Sequence, residues 1–288
     1  MRSGERRLHS LEKIVAIGAL AAVLFVTVGF ARADGGPRLR SAAALVQDAE
    51  TGETLYEKNS ETILPIASIT KLMTAIVVLE RGLDLDASVA VSSDDLRATH
   101  SSRSRGRLRA GSVLTRNELM LLMLMSSENR AAAALARTYP GGTDAFVAAM
   151  NEEGARLGLL DTRFADPTGL SPDNVSSAQD LAKLVRAAHS YPKIREYSTT
   201  PSALVRARGG TVGYRNTNSL VRNENWDIEL SKTGYISQAG RCLVMHVRLA
   251  SRELVVILLD SWGKYTRIAD ARRIRKWLES SAAREPNG

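Results

Sequence analysis

The stretch IELSKTGYISQAGRCLVMHVRLASRELVVILL, residues 228–259, decides the fold of this 288-residue chain. It contains three runs rich in apolar and β-branched residues, Ile228 to Tyr235, Arg241 to Leu249 and Glu253 to Leu259. Only the turn sequences Gln238-Ala239-Gly240 and Ala250-Ser251-Arg252 separate them. Connections this short cannot hold a crossover helix, so the runs predict an antiparallel meander. Apolar residues at helical spacing from Ile268 to Leu278 follow and can cover one face of that sheet. Near the other end of the chain, Ala42 to Val46 and Thr54 to Tyr56 flank Asp48-Ala49-Glu50-Thr51-Gly52 and predict a hairpin. Between these ends, Ile69, Leu72, Met73, Ile76, Val77 and Leu79 mark a buried helix closed by Gly82. Further helical patterns cover 116–125, 130–138, 143–157 and 178–188, separated by Gly, Pro, Ser and Asp clusters. Strands from both chain ends around inserted helices predict an α/β class. The expected architecture is an antiparallel sheet flanked by helices, with a helical lobe over roughly residues 85–210.

Hydrophobic residues make up 44% and charged residues 24%, which excludes a mainly disordered chain. Arg2, Arg6, Arg7 and Lys13 precede an uncharged run from Ile14 to Phe30, and Ala31-Arg32-Ala33 follows. That pattern reads as a signal peptide over residues 1–33 and predicts export to the periplasm. The run is 17 residues long, short of the roughly 20 a spanning helix needs; an uncleaved anchor is the alternative. Residues 34–288 are expected to form a single catalytic domain with no stable membrane anchor after cleavage. One cysteine, Cys242, permits no internal disulfide and reads as a small buried hydrophobe.

The net charge is +8, and a mild basic excess survives without the first 33 residues, which hold five basic and two acidic groups. This favours an anionic polymer, but nothing resembles a nucleic-acid module and no nucleic-acid partner is expected. The densest basic stretch, Arg97, Arg103, Arg105, Arg107 and Arg109, reads as a loop, either solvated surface or a substrate-guiding rim. His9, His100, His189 and His246 are isolated in sequence and form no His-x-x-x-His pair. No metal and no cofactor are expected. Trp226, Trp262 and Trp277 read as packing or site-wall residues.

A serine hydroxyl needs a group to take its proton, and a lysine three residues later on a helix can place an amine beside it. Four Ser-x-x-Lys matches occur, beginning at Ser10, Ser68, Ser190 and Ser261. The first lies in the export segment, the third contains Pro192, the fourth contains Gly263 at a strand exit, and only Ser68 begins a strong buried helix. A helix start offers unpaired N–H groups and a positive dipole end to developing negative charge. Lys71 must be neutral to act as base, which requires burial or a second ammonium nearby. Ser127-Glu128-Asn129 and Lys232-Thr233-Gly234 are the only Ser-x-Asn and Lys-Thr-Gly matches. Together with Ser68–Lys71 they form the set found in penicillin-binding proteins and class A β-lactamases.

On these residues the chain resembles the small D-alanyl-D-alanine carboxypeptidase and endopeptidase family of low-molecular-mass penicillin-binding proteins. The likeness rests on Pro65–Ala75, Met125–Ala131, Tyr139-Pro140-Gly141-Gly142, Thr162-Arg163-Phe164, Asp166–Ser171, Arg215-Asn216-Thr217-Asn218 and Lys232-Thr233-Gly234. It implies a β-lactamase/DD-peptidase-like fold and a serine hydrolase acting on D-alanyl bonds of peptidoglycan. It implies Ser68 as nucleophile, Lys71 as base and Ser127 as proton relay. Asn129 would hold the donor peptide's amide, and Lys232 and Thr233 the carboxylate beside the cleaved bond. The backbone N–H groups of Ser68 and Tyr235 would form the oxyanion hole, and Gly234 would let substrate lie against the strand edge. Implied partners are peptidoglycan peptide stems and crosslinks, with β-lactam antibiotics as covalent inhibitors. Crosslink endopeptidase is favoured, and carboxypeptidase is the alternative. A β-lactamase is disfavoured because Asp166–Pro172 lacks a glutamate, and an inactive wall-binding protein because every polar catalytic residue type is present. Asp166 and Asn218 read either as site-shaping residues or as turn stabilisers.

Overall fold

The computed structural model describes residues 36–99 and 107–282. The expected signal segment, His9, His100 and the middle of the basic stretch lie outside the described residues. Among the described residues no helix is long and apolar enough to cross a membrane.

The meander forms as β9 (Asp227–Ile236), β10 (Gly240–Leu249) and β11 (Arg252–Ser261). The N-terminal hairpin, β1 (Ser41–Asp48) and β2 (Thr54–Lys58), joins it through antiparallel pairing of β1 with β11. The resulting five-stranded order is β2-β1-β11-β10-β9, which leaves β9 at an edge. Side chains alternate across this sheet. Ala43, Leu45, Val244, Val255 and Ile257 face the helical core. Ala44, Val46, Met245, Val256 and Leu258 face the opposite way, where Ala271, Ile274 and Leu278 of α8 (Thr266–Ala282) cover them. Burial on both faces explains why Val255–Leu259 is an unbroken apolar run rather than an alternating one.

The first core contains α1 (Lys71–Glu80), α3 (Arg116–Met125), α4 (Asn129–Arg137), α5 (Gly142–Arg156) and α6 (Ala178–His189), close to the expected helical spans. Two helices lacked an apolar stripe strong enough to stand out in sequence, α2 (Ser93–Ala98) and α7 (Pro192–Thr199). The short pairings β3 (Leu64–Pro65) with β6 (Val175–Ser176), and β4 (Ser88–Ala90) with β5 (Val113–Thr115), pin the loops around them.

The lobe expected to be helical also carries a hairpin, β7 (Ser202–Ala207) and β8 (Gly210–Arg215). Its turn uses Gly209 and Gly210 at φ +96° and +122°, conformations open to glycine alone. One face of the hairpin is half-buried through Ala203, Val205, Ala207, Val212 and Tyr214, but exposed Leu204 and the glycines at 210 and 213 blur the apolar alternation that marks such strands in sequence.

Two sequence readings need correction. Trp262 is 84% exposed and packs nothing, unlike Trp226, which is buried, and Trp277, which meets Tyr56 edge-on. His189 and His246, far apart in sequence, stack with ring centroids 3.7 Å apart, and Glu229 Oε2 lies 2.6 Å from His189 Nε2. Burial, then the neighbouring His189, pushes His246 down to about 4. Cys242 is fully buried and its thiol is pushed up to about 11, which keeps it protonated and unreactive at neutral pH.

Candidate active site

Ser68 sits in a 3-10 turn, Ala67–Thr70, that runs directly into α1 at Lys71. An offset of three residues across that junction places Lys71 Nζ 2.9 Å from Ser68 Oγ. Ala67 immediately before it has φ +48°, and Ser127 has φ +60°; such strain in non-glycine residues persists only where the surroundings hold it.

Lys71 is completely buried, and its Nζ also meets Asn129 Oδ1 at 2.7 Å and the carbonyl oxygen of Thr168. These partners serve either protonation state of the amine. In the ammonium form all three contacts are donated by Nζ; in the neutral form two N–H groups serve the two carbonyl oxygens and the lone pair is left for the Ser68 hydroxyl to donate to. Burial lowers the Lys71 pKa to about 7 against the opposing pull of Asp166 and Glu128.

Asn129 opens α4 at a sharp corner after α3. Glu128 caps α4 by accepting from Arg130 N at 3.3 Å, and Thr217 N holds the corner through the Met125 carbonyl at 3.1 Å. The corner turns Ser127 towards β9, where Lys232 Nζ lies 3.0 Å from Ser127 Oγ and 3.0 Å from the Thr233 carbonyl oxygen. Burial drives Lys232 well below its usual range, aided by Lys71 when that amine is protonated and by the Arg267 cation. Thr233 Oγ1 donates to Thr217 Oγ1 at 2.7 Å. Asn218 caps the following turn at Leu220 N (3.1 Å) and donates to Ser231 Oγ (2.9 Å), one residue before Lys232.

The three distant segments therefore converge. Ser68, Ser127, Asn129, Thr233, Gly234 and Tyr235 line one cleft of about 690 Å³, with Lys71 and Lys232 buried beneath it. Gly234 has a reason beyond the expected one. A Cβ there would come within 2.9 Å of the Ile66 carbonyl and 3.1 Å of Ser68 N, so the glycine lets β9 approach the backbone of the serine turn.

Two contributors were not visible in the motifs. Arg267, at the start of α8, reaches into the cleft and is held by the carbonyls of Gly234 at 2.9 Å and Cys242 at 3.2 Å. Burial, then Arg241, lowers it to about 10, so it remains a cation at neutral pH. The second is the Thr168 carbonyl. Asp166 positions it by accepting from Thr168 N at 2.6 Å, Gly169 N at 2.9 Å, Ser171 N at 2.8 Å and Asn174 Nδ2 at 2.6 Å. Asp166 is thus both turn stabiliser and site-shaping residue.

A prediction follows from its charge. Asp166→Asn removes a negative charge that raises the Lys71 pKa, and it sets an amide N–H₂ against backbone donors. The acid limb of the pH profile for Ser68 acylation is expected to move below its wild-type position, and stability to fall by about 1–3 kcal/mol. Acylation rates across pH 5–9, together with urea unfolding, measure both; an unmoved limb refutes the coupling.

The family model for D-alanyl-D-alanine carboxypeptidase matches residues 31–262. The chain belongs to this family of serine DD-peptidases. It is 48% identical to a D-alanyl-D-alanine endopeptidase of Pseudomonas aeruginosa, over 84% of this chain and 78% of that one. It is 43% identical to a D-alanyl-D-alanine endopeptidase of Escherichia coli, over 85% and 79% respectively. The structure of a Streptomyces K15 DD-transpeptidase superposes with a TM-score of 0.79 at 27% identity, covering 85% of this chain and 99% of that one. This DD-peptidase is a serine hydrolase with the sheet-and-helix architecture of its family.

Proposed function

We propose that the protein hydrolyses D-alanyl peptide bonds in peptidoglycan, with crosslinks as its main substrate, through an acyl-enzyme on Ser68. The observation that carries this reading is the Lys71 amine, buried, lowered to about 7 and 2.9 Å from Ser68 Oγ. Neutral Lys71 takes the Ser68 proton as Oγ attacks the D-alanyl carbonyl. The carbonyl oxygen, now negative, meets the backbone N–H groups of Ser68 and Tyr235. Ser127, beside Lys232, gives its hydroxyl proton to the departing amine and regains the proton taken up by Lys71, which returns Lys71 to its neutral form. Thr233, Lys232 and the Arg267 cation receive the carboxylate next to the cleaved bond. The donor peptide adds along the open edge of β9, with its amide at Asn129. Water then hydrolyses the ester, giving its proton back through Lys71.

Crosslinks are favoured over terminal D-alanine because the Pseudomonas aeruginosa and Escherichia coli relatives are named endopeptidases. An exported, cell-wall location accords with the N-terminal pattern of the sequence. β-Lactams should acylate Ser68 and leave slowly, because Asp166–Pro172 holds no glutamate and both Asp166 oxygens are taken up by the loop itself.

The test is incubation with crosslinked dimeric muropeptides and with pentapeptide monomers, alongside labelling by a fluorescent penicillin. Dimers are expected to become monomers faster than free D-alanine appears, and Ser68→Ala to abolish both products and the label. Release of D-alanine alone selects carboxypeptidase activity, and absence of a Ser68-dependent adduct defeats the mechanism.

A further inference from the structure

We infer that a second cavity, of about 830 Å³ between the α3–α4 corner and the β7–β8 hairpin, receives the leaving half of a crosslinked peptide. This rests on the function proposed above and extends it from the bond cleaved to the substrate's second chain. The cavity is continuous with the catalytic cleft, because Ser126, Ser127 and Thr217 line both.

The leaving residue is held at two points, its amine at Ser127 and its carboxylate at Thr233 and Arg267. Its third substituent must point elsewhere. In a terminal D-alanine that substituent is a methyl group, which needs no further room. In a crosslink it is a tether carrying a whole second peptide, and the space that continues from Ser127 is this cavity. Its volume is within the range of about 300–1,000 Å³ typical of ligand pockets.

The walls suit an anionic peptide. Arg107 lies over the Tyr214 ring at 5.7 Å and donates to the Gly213 carbonyl, which ties it to the hairpin. Arg215 and Thr217 are exposed on either side of buried Asn216. Asn216 Nδ2 donates to the carbonyls of Ser198 at 2.9 Å and Thr200 at 3.0 Å, so Arg215 stands on a fixed backbone. Glu128 is the acidic group on the wall, and its oxygens already accept from Arg107 N at 3.0 Å and Arg130 N at 3.3 Å. Leu204, 79% exposed, supplies apolar surface. Two guanidinium groups beside an apolar patch match a peptide stem that bears carboxylates. Arg107 also gives the basic stretch singled out in the sequence a substrate-facing member.

The experiment uses Ser68→Ala, which leaves the substrate intact. Binding of a dimeric muropeptide and of a pentapeptide monomer is measured by calorimetry, with and without the added pair Arg107→Ala and Arg215→Ala. The pair is expected to weaken dimer binding about tenfold, more at low salt than at high, and pentapeptide binding less than about twofold. With Ser68 present, the pair should leave penicillin acylation at the wild-type rate, which also reports a folded site. Dimer binding that is unchanged, that weakens together with pentapeptide binding, or that starts no tighter than pentapeptide binding overturns the inference. Failure of the proposed reaction itself shows separately, as absence of a penicillin adduct on the unsubstituted protein.

Discussion

Replacing Lys71 with methionine is expected to slow Ser68 acylation by about 10²- to 10⁴-fold, the usual contribution of a positioned general base. The side chain keeps similar length and removes only the amine that meets Ser68, Asn129 and Thr168. Stopped-flow labelling with penicillin measures the rate, and a Tm within a few degrees of wild type separates lost chemistry from a lost fold. The pH dependence makes the test sharper. In the wild type, acylation should rise through about pH 7 as Lys71 loses its proton; the residual rate of the variant should lack that limb. Stability carries a second signature. A lysine lowered in the folded state to about 7 holds its proton longer when unfolded, so its contribution is complete only above the unfolded value near 10.5 and is lost as pH falls through the folded one. Lys71 should therefore contribute a loss of up to about 1.4 kcal/mol per pH unit over that window, and the variant should lack this share of the slope while keeping the share carried by Lys232, which burial also lowers. A variant that acylates at the wild-type rate removes Lys71 from the mechanism.

Gly169→Ala is the second large effect, although Gly169 touches no proposed substrate group. Its φ is +75°, and a Cβ would lie 2.1 Å from the Ala67 carbonyl oxygen and 2.9 Å from Ser68 N. Gly234 presses on the same segment from β9, so the turn bearing Ser68 is clamped between two glycines and has no free direction in which to yield. Displacement of Ser68 by about 1 Å is expected to cost about 10²-fold in kcat/KM, with a loss of Tm. Gly82→Ala is the control. Gly82 shares a positive φ, +65°, but a Cβ there meets nothing within 4 Å. It should lose about 1 kcal/mol of stability from backbone strain while keeping full activity. Equal activity loss in both variants would show that the clamp at Gly169 has no special bearing on Ser68.

Local chemistry made much of this site legible. Ser68 and Lys71 stand three residues apart at a helix start, Ser127 and Asn129 share one corner, and Lys232–Tyr235 lie consecutively on one strand. Each pair or run is close in sequence because the same backbone element presents it. Arg267 carries no such mark. It enters the cleft only because α8 crosses the sheet beside Gly234 and Cys242. The Thr168 carbonyl is a backbone atom, aimed by Asp166, and has no signature in residue type. The His189–His246 stack spans α6 and β10, so no spacing rule could have joined the two. The β7–β8 hairpin went unrecognised because exposed Leu204 and the glycines at 210 and 213 interrupt, in sequence, the alternation of its half-buried face.

Periodicity, turn residues and three short motifs were enough to establish the sheet, the principal helices and the family, because each is written in contacts between near neighbours. Which lysine loses its charge, why glycine stands at 169 and 234, and where a second peptide chain could lie depended on burial and on separations between segments as far apart as 68 and 234. Those quantities come into being only when the chain closes on itself and excludes water.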